Sequence, residues 1–283
     1  MADAAERQAD GSGPPGGSIA GGRRAATSDT ASRDAGSRAL EVVGVTRTFG
    51  ALVALDGVDL SVGPGERRAV LGANGAGKTT LFNAITGDFP PTRGRISFFG
   101  EDVTELPQYD RIRRGLRRTY QHSLLFRGLT VRDNLFLASR GVARRRFSLL
   151  RPRGGDFAMA AAERLAGQAH LSRRLDTRVA DLSYGEQRQL EIGMALAGAP
   201  RLILFDEPAA GLSPGERGNL VALLHGLPEH LGFVIIEHDL DVALKVVDRV
   251  TVMHNGRIFK HGTPAEIEAD PEVQAIYLGG QHG

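Results

Sequence analysis

Hydrophobic and polar positions divide the chain into a β-rich first part and a later part in which strand and helix patterns alternate. From Leu40 to about Val62, β-branched residues and glycine turns alternate in a way typical of antiparallel strands. Arg68-Ala69-Val70-Leu71 then indicates a short buried strand, and Lys78 to Thr86 indicates a helix that ends at Gly87. A glycine-rich loop joins them, so a strand, a loop and a helix are predicted in direct succession.

The middle of the chain is predicted to be helical. Thr130 can cap a helix that runs through Leu135, and Asp156 can cap a second helix that runs through Ala169. Because these helices interrupt the strand pattern, we expect an inserted helical subdomain over about residues 122–180.

Beyond this insertion, two short apolar runs, Leu202 to Phe205 and Phe233 to Ile236, predict buried strands. The helix between them begins at Ser213-Pro214-Gly215-Glu216, which combines a cap, a first-turn proline and a capping-box glutamate. Strands that alternate with helices over short loops favour a mainly parallel sheet covered on both faces. The expected fold class is therefore α/β.

The last part of the sequence, about residues 262–283, is predicted to form a C-terminal extension of the domain. Asn255-Gly256 indicates a tight hairpin just before it. Thr263-Pro264-Ala265-Glu266 and Asp270-Pro271-Glu272 each combine a capping residue with a proline, so two short helices are expected to begin there.

Composition limits the class of protein. The 283 residues, 41% of them hydrophobic, suffice for one large domain over residues 39–283. Residues 1–38 are rich in Gly, Ala, Ser, Asp and Arg and lack the apolar stretch of a secretory signal, so a disordered tail is expected there. The apolar runs are far shorter than the ~20 residues that span a bilayer.

Net charge and cysteine content limit which partners and which cellular compartment are expected. The formal net charge is only +2, well below the basic excess typical of nucleic-acid binding, so no nucleic acid is expected as a partner. The sequence has no cysteine, which excludes disulfides and cysteine-ligated metals and fits a reducing compartment such as the cytoplasm.

The glycine-rich loop reads Gly72-Ala73-Asn74-Gly75-Ala76-Gly77-Lys78-Thr79 and fits the pattern G-x-x-x-x-G-K-[ST]. Such glycines let backbone N–H groups surround phosphates at a helix N-terminus, while the lysine meets the β- and γ-phosphates and the threonine binds magnesium. A strand pattern before the loop and a helix pattern after it favour this interpretation over a chance match. The predicted contacts to ATP in this loop are Gly72, Asn74, Gly75, Ala76, Gly77, Lys78, Thr79 and Thr80.

Two acidic residues end the buried run Leu202-Ile203-Leu204-Phe205-Asp206-Glu207. Asp206 is expected to hold Mg²⁺ through water, and Glu207 to polarise the water that attacks the γ-phosphate. A solvated loop after a core strand is the alternative, which is common for one acidic residue and less common for two.

A second candidate anion-binding helix start is Leu182-Ser183-Tyr184-Gly185-Glu186-Gln187. Ser183 and Glu186 can form a capping box, and Gly185 leaves room close to the backbone. Spacing alone also allows a helix that is merely well capped.

Taken together, the P-loop, LSYGEQ, LILFDEP and Ile236-Glu237-His238-Asp239 resemble the ATP-binding cassette (ABC) ATPases over roughly Leu40 to Gly279. The resemblance implies a P-loop NTPase core of the RecA-like type, with an N-terminal antiparallel β subdomain and an inserted helical subdomain. It also implies a head-to-tail dimer, in which Ser183 and Gly185 of one subunit contact the γ-phosphate held by the other subunit's P-loop.

The same resemblance implies three further roles. Phe49 would stack on adenine, Gln121 would reach magnesium and the attacking water, and His238 would contact the γ-phosphate. Two positions depart from the family pattern. Tyr184 occupies the third position of LSGGQ, where the pattern has its first glycine. Ser213 stands where many cassettes have the D-loop aspartate, so the residue that couples the two subunits in those cassettes is replaced here.

Within the family, three segments resemble the branched-chain amino acid importer ATPases: Arg117 to Gln121, Asp206 to Leu212, and the ending from Gly262 to Gly279. This implies a peripheral protein on the cytoplasmic face of the membrane. Its partners would be a second cassette, identical or paralogous, and transmembrane permease subunits that an extracytoplasmic solute-binding protein supplies. Urea or amide importers and a lipopolysaccharide exporter share similar features and stay open as alternatives.

A basic stretch lies inside the predicted helical insertion. We hypothesise that it contacts the permease or anionic lipid headgroups, and a solvated insertion is an equally good interpretation. The residues concerned are Arg140, Arg144, Arg145, Arg146, Arg151 and Arg153.

Two other classes of P-loop protein fit the sequence less well. A soluble cassette ATPase acting on DNA or ribosomes usually carries two cassettes or a coiled-coil insert, whereas this chain has one P-loop and no heptads. A P-loop kinase or GTPase would leave LSYGEQ unexplained, and the sequence has no Asn-Lys-x-Asp guanine motif.

Overall fold

The structure is a computed structural model that describes residues 38–120, 124–142 and 155–279. Residues 1–37 of the predicted tail, Gln121, and all the arginines of the basic stretch except Arg140 lie outside the described residues. The described strands are β1 (Leu40–Phe49), β2 (Leu52–Val62), β3 (Arg67–Leu71), β4 (Arg93–Phe98), β5 (Glu101–Asp102), β6 (Leu116–Arg118), β7 (Leu202–Asp206), β8 (Gly232–Ile236), β9 (Arg249–His254) and β10 (Arg257–Gly262). The described helices are α1 (Lys78–Thr86), α2 (Gln108–Arg113), α3 (Val131–Gly141), α4 (Gly155–Gln168), α5 (Tyr184–Ala195), α6 (Pro214–His225), α7 (Leu240–Ala243), α8 (Pro264–Glu268) and α9 (Pro271–Gly279).

An antiparallel sheet with the order β2-β1-β4-β5 forms one layer. The predicted antiparallel pair of β1 and β2 is confirmed, with Val42 opposite Leu60. Strands β4 and β5, which the sequence analysis did not predict, complete this sheet. Its buried face packs in one apolar cluster with Phe82 and Ile85 of α1. The helix that follows the P-loop is therefore held between two sheets.

The second sheet has the order β10-β9-β3-β8-β7-β6, and β3, β6, β7, β8 and β9 run parallel in it. All five positions of β7 and of β8 are buried, as expected for strands covered on both faces. The predicted mainly parallel sheet is confirmed. Because β3, β8 and β7 are neighbours, their carboxyl ends lie side by side, which is where α/β sheets place their ligands.

Helices α3, α4 and α5 pack together beside the parallel sheet. Thr130 caps α3 as predicted, since its hydroxyl accepts the Asp133 N–H and the Asp133 carboxylate accepts the Thr130 N–H. The helix continues to Gly141 instead of ending near Leu135, and its buried face includes Val131 and Leu135. The predicted end was wrong because the sequence offers no helix stop at Leu135: Phe136 to Arg140 carry on the helical pattern.

The hairpin between β9 and β10 turns at Asn255 and Gly256, which have φ values of 47° and 76°. Two left-handed residues in a two-residue loop form the turn that Asn-Gly favours, so the predicted hairpin is confirmed. The Gly256 N–H donates to the Ala76 carbonyl oxygen at 3.0 Å, and the Gly256 carbonyl oxygen accepts the Asp56 N–H at 2.9 Å. The hairpin therefore supports the P-loop from a distant part of the chain.

Candidate active site

The P-loop connects β3 to α1 and ends at Gly77, the N-cap of the helix, with a φ of 99°. A Cβ atom at Gly77 would lie 2.7 Å from the Ala54 carbonyl oxygen, and one at Gly72 would lie 2.4 Å from the Met253 carbonyl oxygen. Both distances are below any normal contact, so these two positions require glycine. The loop is shaped by backbone from β2 and β9 as well as by its own sequence.

The Lys78 side chain folds back into the P-loop. It is only 6% exposed, and its Nζ donates to the carbonyl oxygens of Gly72 at 2.7 Å and of Ala73 at 3.0 Å. Burial lowers the pKa of Lys78, while the nearby carboxylates of Glu207 and Asp206 act in the opposite direction. The ammonium group is thus held within the loop that would surround the phosphates.

A cavity of about 450 Å³ opens in front of this loop. Its walls combine the P-loop with Glu207, His238 and the hairpin turn. The structure therefore brings together most of the predicted site residues, although they come from three strand ends. The lining consists of Leu52, Val53, Ala54, Asn74, Gly75, Ala76, Gly77, Lys78, Thr79, Thr80, Glu207, His238, Asn255 and Gly256.

Glu207 follows β7 in an unusual backbone conformation, with a φ of 50°. This left-handed region costs a non-glycine residue on the order of 1 kcal/mol or more and recurs at functional sites. The Glu207 N–H donates to the Ile236 carbonyl oxygen at 2.9 Å, and Glu207 Oε1 lies 2.8 Å from His238 Nε2. An ionised carboxylate can only accept, so this contact requires the hydrogen on Nε2. The two residues form one unit across the ends of β7 and β8.

Asp206 lies behind the cavity and is 2% exposed. Its Oδ2 accepts a hydrogen bond from Arg118 Nη2 at 2.7 Å. Its Oδ1 is buried and has no hydrogen-bond partner within the described residues. A buried oxygen without a partner is costly, and carboxylate and hydroxyl oxygens are among the oxygen ligands that Mg²⁺ prefers. Asp206 and the exposed Thr79 at the start of α1 therefore fit a magnesium ion.

Arg118 and Glu237 are site residues that the sequence analysis missed. Arg118, 5% exposed, joins Asp206 to Asp88 with distances of 2.7 Å and 3.0 Å. Glu237, 2% exposed, accepts the N–H groups of Ala209 at 2.7 Å and His238 at 3.2 Å. Burial above all, and also the Glu207 charge, raise the pKa of Glu237 to about 7. The signal for Glu237 in the sequence is a charged residue directly after an apolar strand, whereas Arg118 ends the short strand Leu116–Arg118, which has no apolar pattern.

A family model described as "ABC transporter" matches residues 55–210, which is more than half of the 283 residues. This chain belongs to the ABC transporter family. A second model, "Branched-chain amino acid ATP-binding cassette transporter", matches residues 261–283. The resemblance inferred from the sequence is confirmed, and with it the prediction of an ATP-binding cassette ATPase.

Individual relatives agree with the family models. The high-affinity branched-chain amino acid transport ATP-binding protein BraF of Pseudomonas aeruginosa is 37% identical over 248 residues, which cover 85% of this chain and 97% of BraF. The corresponding protein LivG of Escherichia coli K12 is 36% identical over 248 residues, with the same coverage of 85% and 97%. The crystal structure of MJ1267, an ATP-binding cassette of an ABC transporter in its ADP conformation, has a TM-score of 0.76 at 32% identity and covers 86% of this chain and 99% of that chain. The predicted cassette fold is confirmed.

The LSYGEQ segment of this cassette begins α5. Ser183 Oγ accepts the Glu186 N–H at 3.1 Å, and Glu186 Oε2 accepts the Ser183 N–H at 2.9 Å, so the predicted capping box is present. Ser183 and Gly185 do not line the P-loop cavity; they border a separate cavity of about 50 Å³. A single cassette therefore keeps its two predicted phosphate-binding segments apart.

Phe49, a further predicted contact, does not line the cavity either. Its ring is 46% exposed, meets the Phe89 ring edge-to-face at 5.6 Å, and lies 4.7 Å from the Arg47 guanidinium carbon. The exposed apolar side chains of Leu52 and Val53, by contrast, line the P-loop cavity. Stacking of adenine on Phe49 stays a prediction, and the predicted role of Gln121 concerns a residue outside the described ones.

Proposed function

We propose that this cassette is the ATP-hydrolysing subunit of an importer for branched-chain or related amino acids. The observation that carries the proposal is that the P-loop with Lys78 and the pair of Glu207 and His238 line one and the same cavity. Such a cavity has the parts that phosphoryl transfer to water requires: donors for the phosphates and a carboxylate to orient the nucleophile.

In the proposed mechanism, the backbone N–H groups of the P-loop and the Lys78 ammonium bind the β- and γ-phosphates. Thr79 and Asp206 would hold Mg²⁺, with Gln121 as a further ligand implied by the resemblance. The ion, when bound, offsets negative charge on the phosphate oxygens. Glu207 orients a water for in-line attack, and His238 Nε2 keeps the carboxylate in place beside the γ-phosphate.

A second cassette is proposed to complete the site. Ser183 and Gly185 lie outside the P-loop cavity of their own chain, so a γ-phosphate that they contact would be held by the P-loop of another subunit. A helix N-terminus carries a partial positive charge that suits a γ-phosphate. The partner is another copy of this chain or a paralogous cassette.

The transported solute is inferred from the relatives. BraF and LivG are named for branched-chain amino acid transport, and the C-terminal segment 261–283 matches the model for that group. Within the described residues, no helix is long and apolar enough to span a membrane. We therefore propose that transmembrane permease subunits carry the solute, that an extracytoplasmic binding protein delivers it to them, and that this cassette binds them peripherally at the cytoplasmic face.

The decisive measurement is the ATPase rate of the purified chain and of Glu207→Gln, with ATP-dependent dimerisation followed by light scattering. We expect hydrolysis by the wild type and a trapped ATP-bound dimer of the variant. Glu229→Gln, at an exposed position far from the cavity, is the control and should behave as the wild type. Full turnover by Glu207→Gln would refute the catalytic role, and ATP binding without dimerisation or turnover would refute the homodimer.

A further inference from the structure

Helices α5 and α6 begin beside each other, and one carboxylate joins their first turns. Glu216 Oε2 accepts the Ser213 N–H at 3.0 Å and the Ser213 hydroxyl at 2.8 Å, which closes the capping box of α6. Glu216 Oε1 accepts the Gly185 N–H at 3.0 Å, which belongs to the first turn of α5. The side chain thus links residues that are 31 positions apart in the sequence.

Gly185 is shaped for this contact. A Cβ atom there would lie 2.6 Å from Glu216 Oε1 and 2.8 Å from Glu216 Cγ, so any larger residue would displace the carboxylate. The N-terminal ends of both helices favour a negative charge. Hydrogen bonds from the Ser213 backbone and hydroxyl, and then from the Gly185 N–H, lower the pKa of Glu216, so the group is ionised at neutral pH.

This contact conflicts with the part that Gly185 would play in a dimer. The proposed function requires the Gly185 N–H to face the γ-phosphate held by a second cassette, yet that N–H already donates to Glu216. One N–H cannot serve two anions equally well, and two anions at hydrogen-bond distance from the same atom repel each other. The carboxylate must therefore release Gly185 before the phosphate can take its place.

We propose that Glu216 is a latch on the composite ATP site: it holds the Gly185 N–H while the two cassettes are apart and yields it to the partner's γ-phosphate when they close. Ser213 holds the other carboxylate oxygen, so the carboxylate can pivot about Oε2, through its side-chain torsions, and move Oε1 away from Gly185 while the cap of α6 stays in place. The strength of this hydrogen bond then helps to set the ATP concentration at which two cassettes close. The inference rests on the proposed function.

The test uses Glu216→Gln, which has the same shape without the charge, and Glu266→Gln as a matched control. Glu266 closes the same kind of capping box at the start of α8, where Thr263 is the cap and a proline follows. Both variants weaken one helix cap, but Glu216 alone of the two contacts Gly185.

The first readout is hydrogen–deuterium exchange of nucleotide-free protein. The segment that contains Gly185 should exchange faster in Glu216→Gln than in the wild type, whereas Glu266→Gln should leave it unchanged. This readout tests the hydrogen bond without ATP, so it does not depend on the proposed function. Unchanged protection of the segment would overturn the latch.

The second readout is an ATP titration of dimerisation in the Glu207→Gln background. Adding Glu216→Gln should lower the ATP concentration for half-maximal dimerisation by about three- to tenfold, as one competing charge-assisted hydrogen bond is removed. Adding Glu266→Gln should not change it. An unchanged or higher concentration would overturn the latch. If the Glu207→Gln parent does not dimerise at all, the proposed homodimer is refuted. The exchange experiment still decides whether Glu216 protects the Gly185 N–H.

Discussion

Glu207 Oε1 and His238 Nε2 lie 2.8 Å apart, although 31 residues separate them in the sequence. Strands β7 and β8 are neighbours in the parallel sheet, with Asp206 opposite Ile236, so the residues that follow each strand meet at one edge. The histidine can orient the carboxylate and also face a phosphate in the same cavity. The hydrogen bond therefore links the residues that follow β7 and β8 at one edge of the sheet.

This pairing predicts the effect of His238→Ala. Glu207 loses its hydrogen bond with His238, so kcat of ATP hydrolysis should fall by roughly 100- to 10,000-fold, the usual range for loss of acid–base assistance. ATP binding by the P-loop should change little. Steady-state ATPase kinetics and equilibrium ATP binding measure the two effects. His225→Ala, at an exposed position in the last turn of α6, is the control. Equal loss of kcat in both variants would contradict the pairing.

The buried pair of Arg118 and Asp206 predicts a stability effect. The two side chains are 5% and 3% exposed, so Arg118→Ala leaves a buried carboxylate without its countercharge. The free energy of unfolding should fall by about 3–5 kcal/mol. Urea unfolding measures it. Arg113→Ala removes an ion pair with Asp110 in which the arginine is 58% exposed, and it should cost less than about 1 kcal/mol. Similar losses in the two variants would contradict the prediction.

Glu237 predicts a specific pH dependence. Its pKa is raised from 4.5 to about 7 in the folded state, so between these values the folded chain binds more protons at this site than the unfolded chain. Stability from this site is therefore present below about pH 4.5 and is lost as the pH rises through 7. The loss amounts to roughly 3 kcal/mol.

Glu237→Gln should remove this dependence, because the amide does not titrate. The difference in free energy of unfolding between wild type and variant, measured by urea unfolding from pH 4.5 to 8, should shift in favour of the variant as the pH rises. Taking the difference cancels the titration of the other carboxylates. A constant difference across the range would show that Glu237 has an ordinary pKa.

The P-loop predicts a contrast between two glycine substitutions. Gly75 and Gly77 both have left-handed backbones, with φ values of 79° and 99°. A Cβ atom at Gly75 meets nothing within 4 Å, whereas one at Gly77 lies 2.7 Å from the Ala54 carbonyl oxygen. Gly75→Ala should cost about 1–2 kcal/mol of strain alone. Gly77→Ala should cost about 1–3 kcal/mol more because of the overlap, and it should weaken ATP binding further. Thermal unfolding and ATP titration compare them, and equal effects would rule out the close approach as the cause.

Short-range features were predictable from the sequence. The P-loop between a strand and a helix, the cap at Thr130, the capping boxes at Ser183 and Ser213, and the Asn255-Gly256 hairpin all appear in the structure, because each depends on residues within a few positions of one another. Strands β4 to β6 and helix α2 were missed, since they are short and lack a clear hydrophobic period. The roles of Phe49, Gln121 and the basic stretch stay predictions.

The sequence by itself therefore determined the local chemistry: which loop can surround phosphates, which strand ends carry carboxylates, and which helices are capped. Only the tertiary structure decided which of these meet. The strand order brings β3, β8 and β7 together and pairs Glu207 with His238, while packing joins Arg118 to Asp206 and Glu216 to Gly185 over separations of 88 and 31 residues. Contacts over such distances depend on sheet register and on the packing of whole helices, and the local periodicity of a sequence carries no record of either.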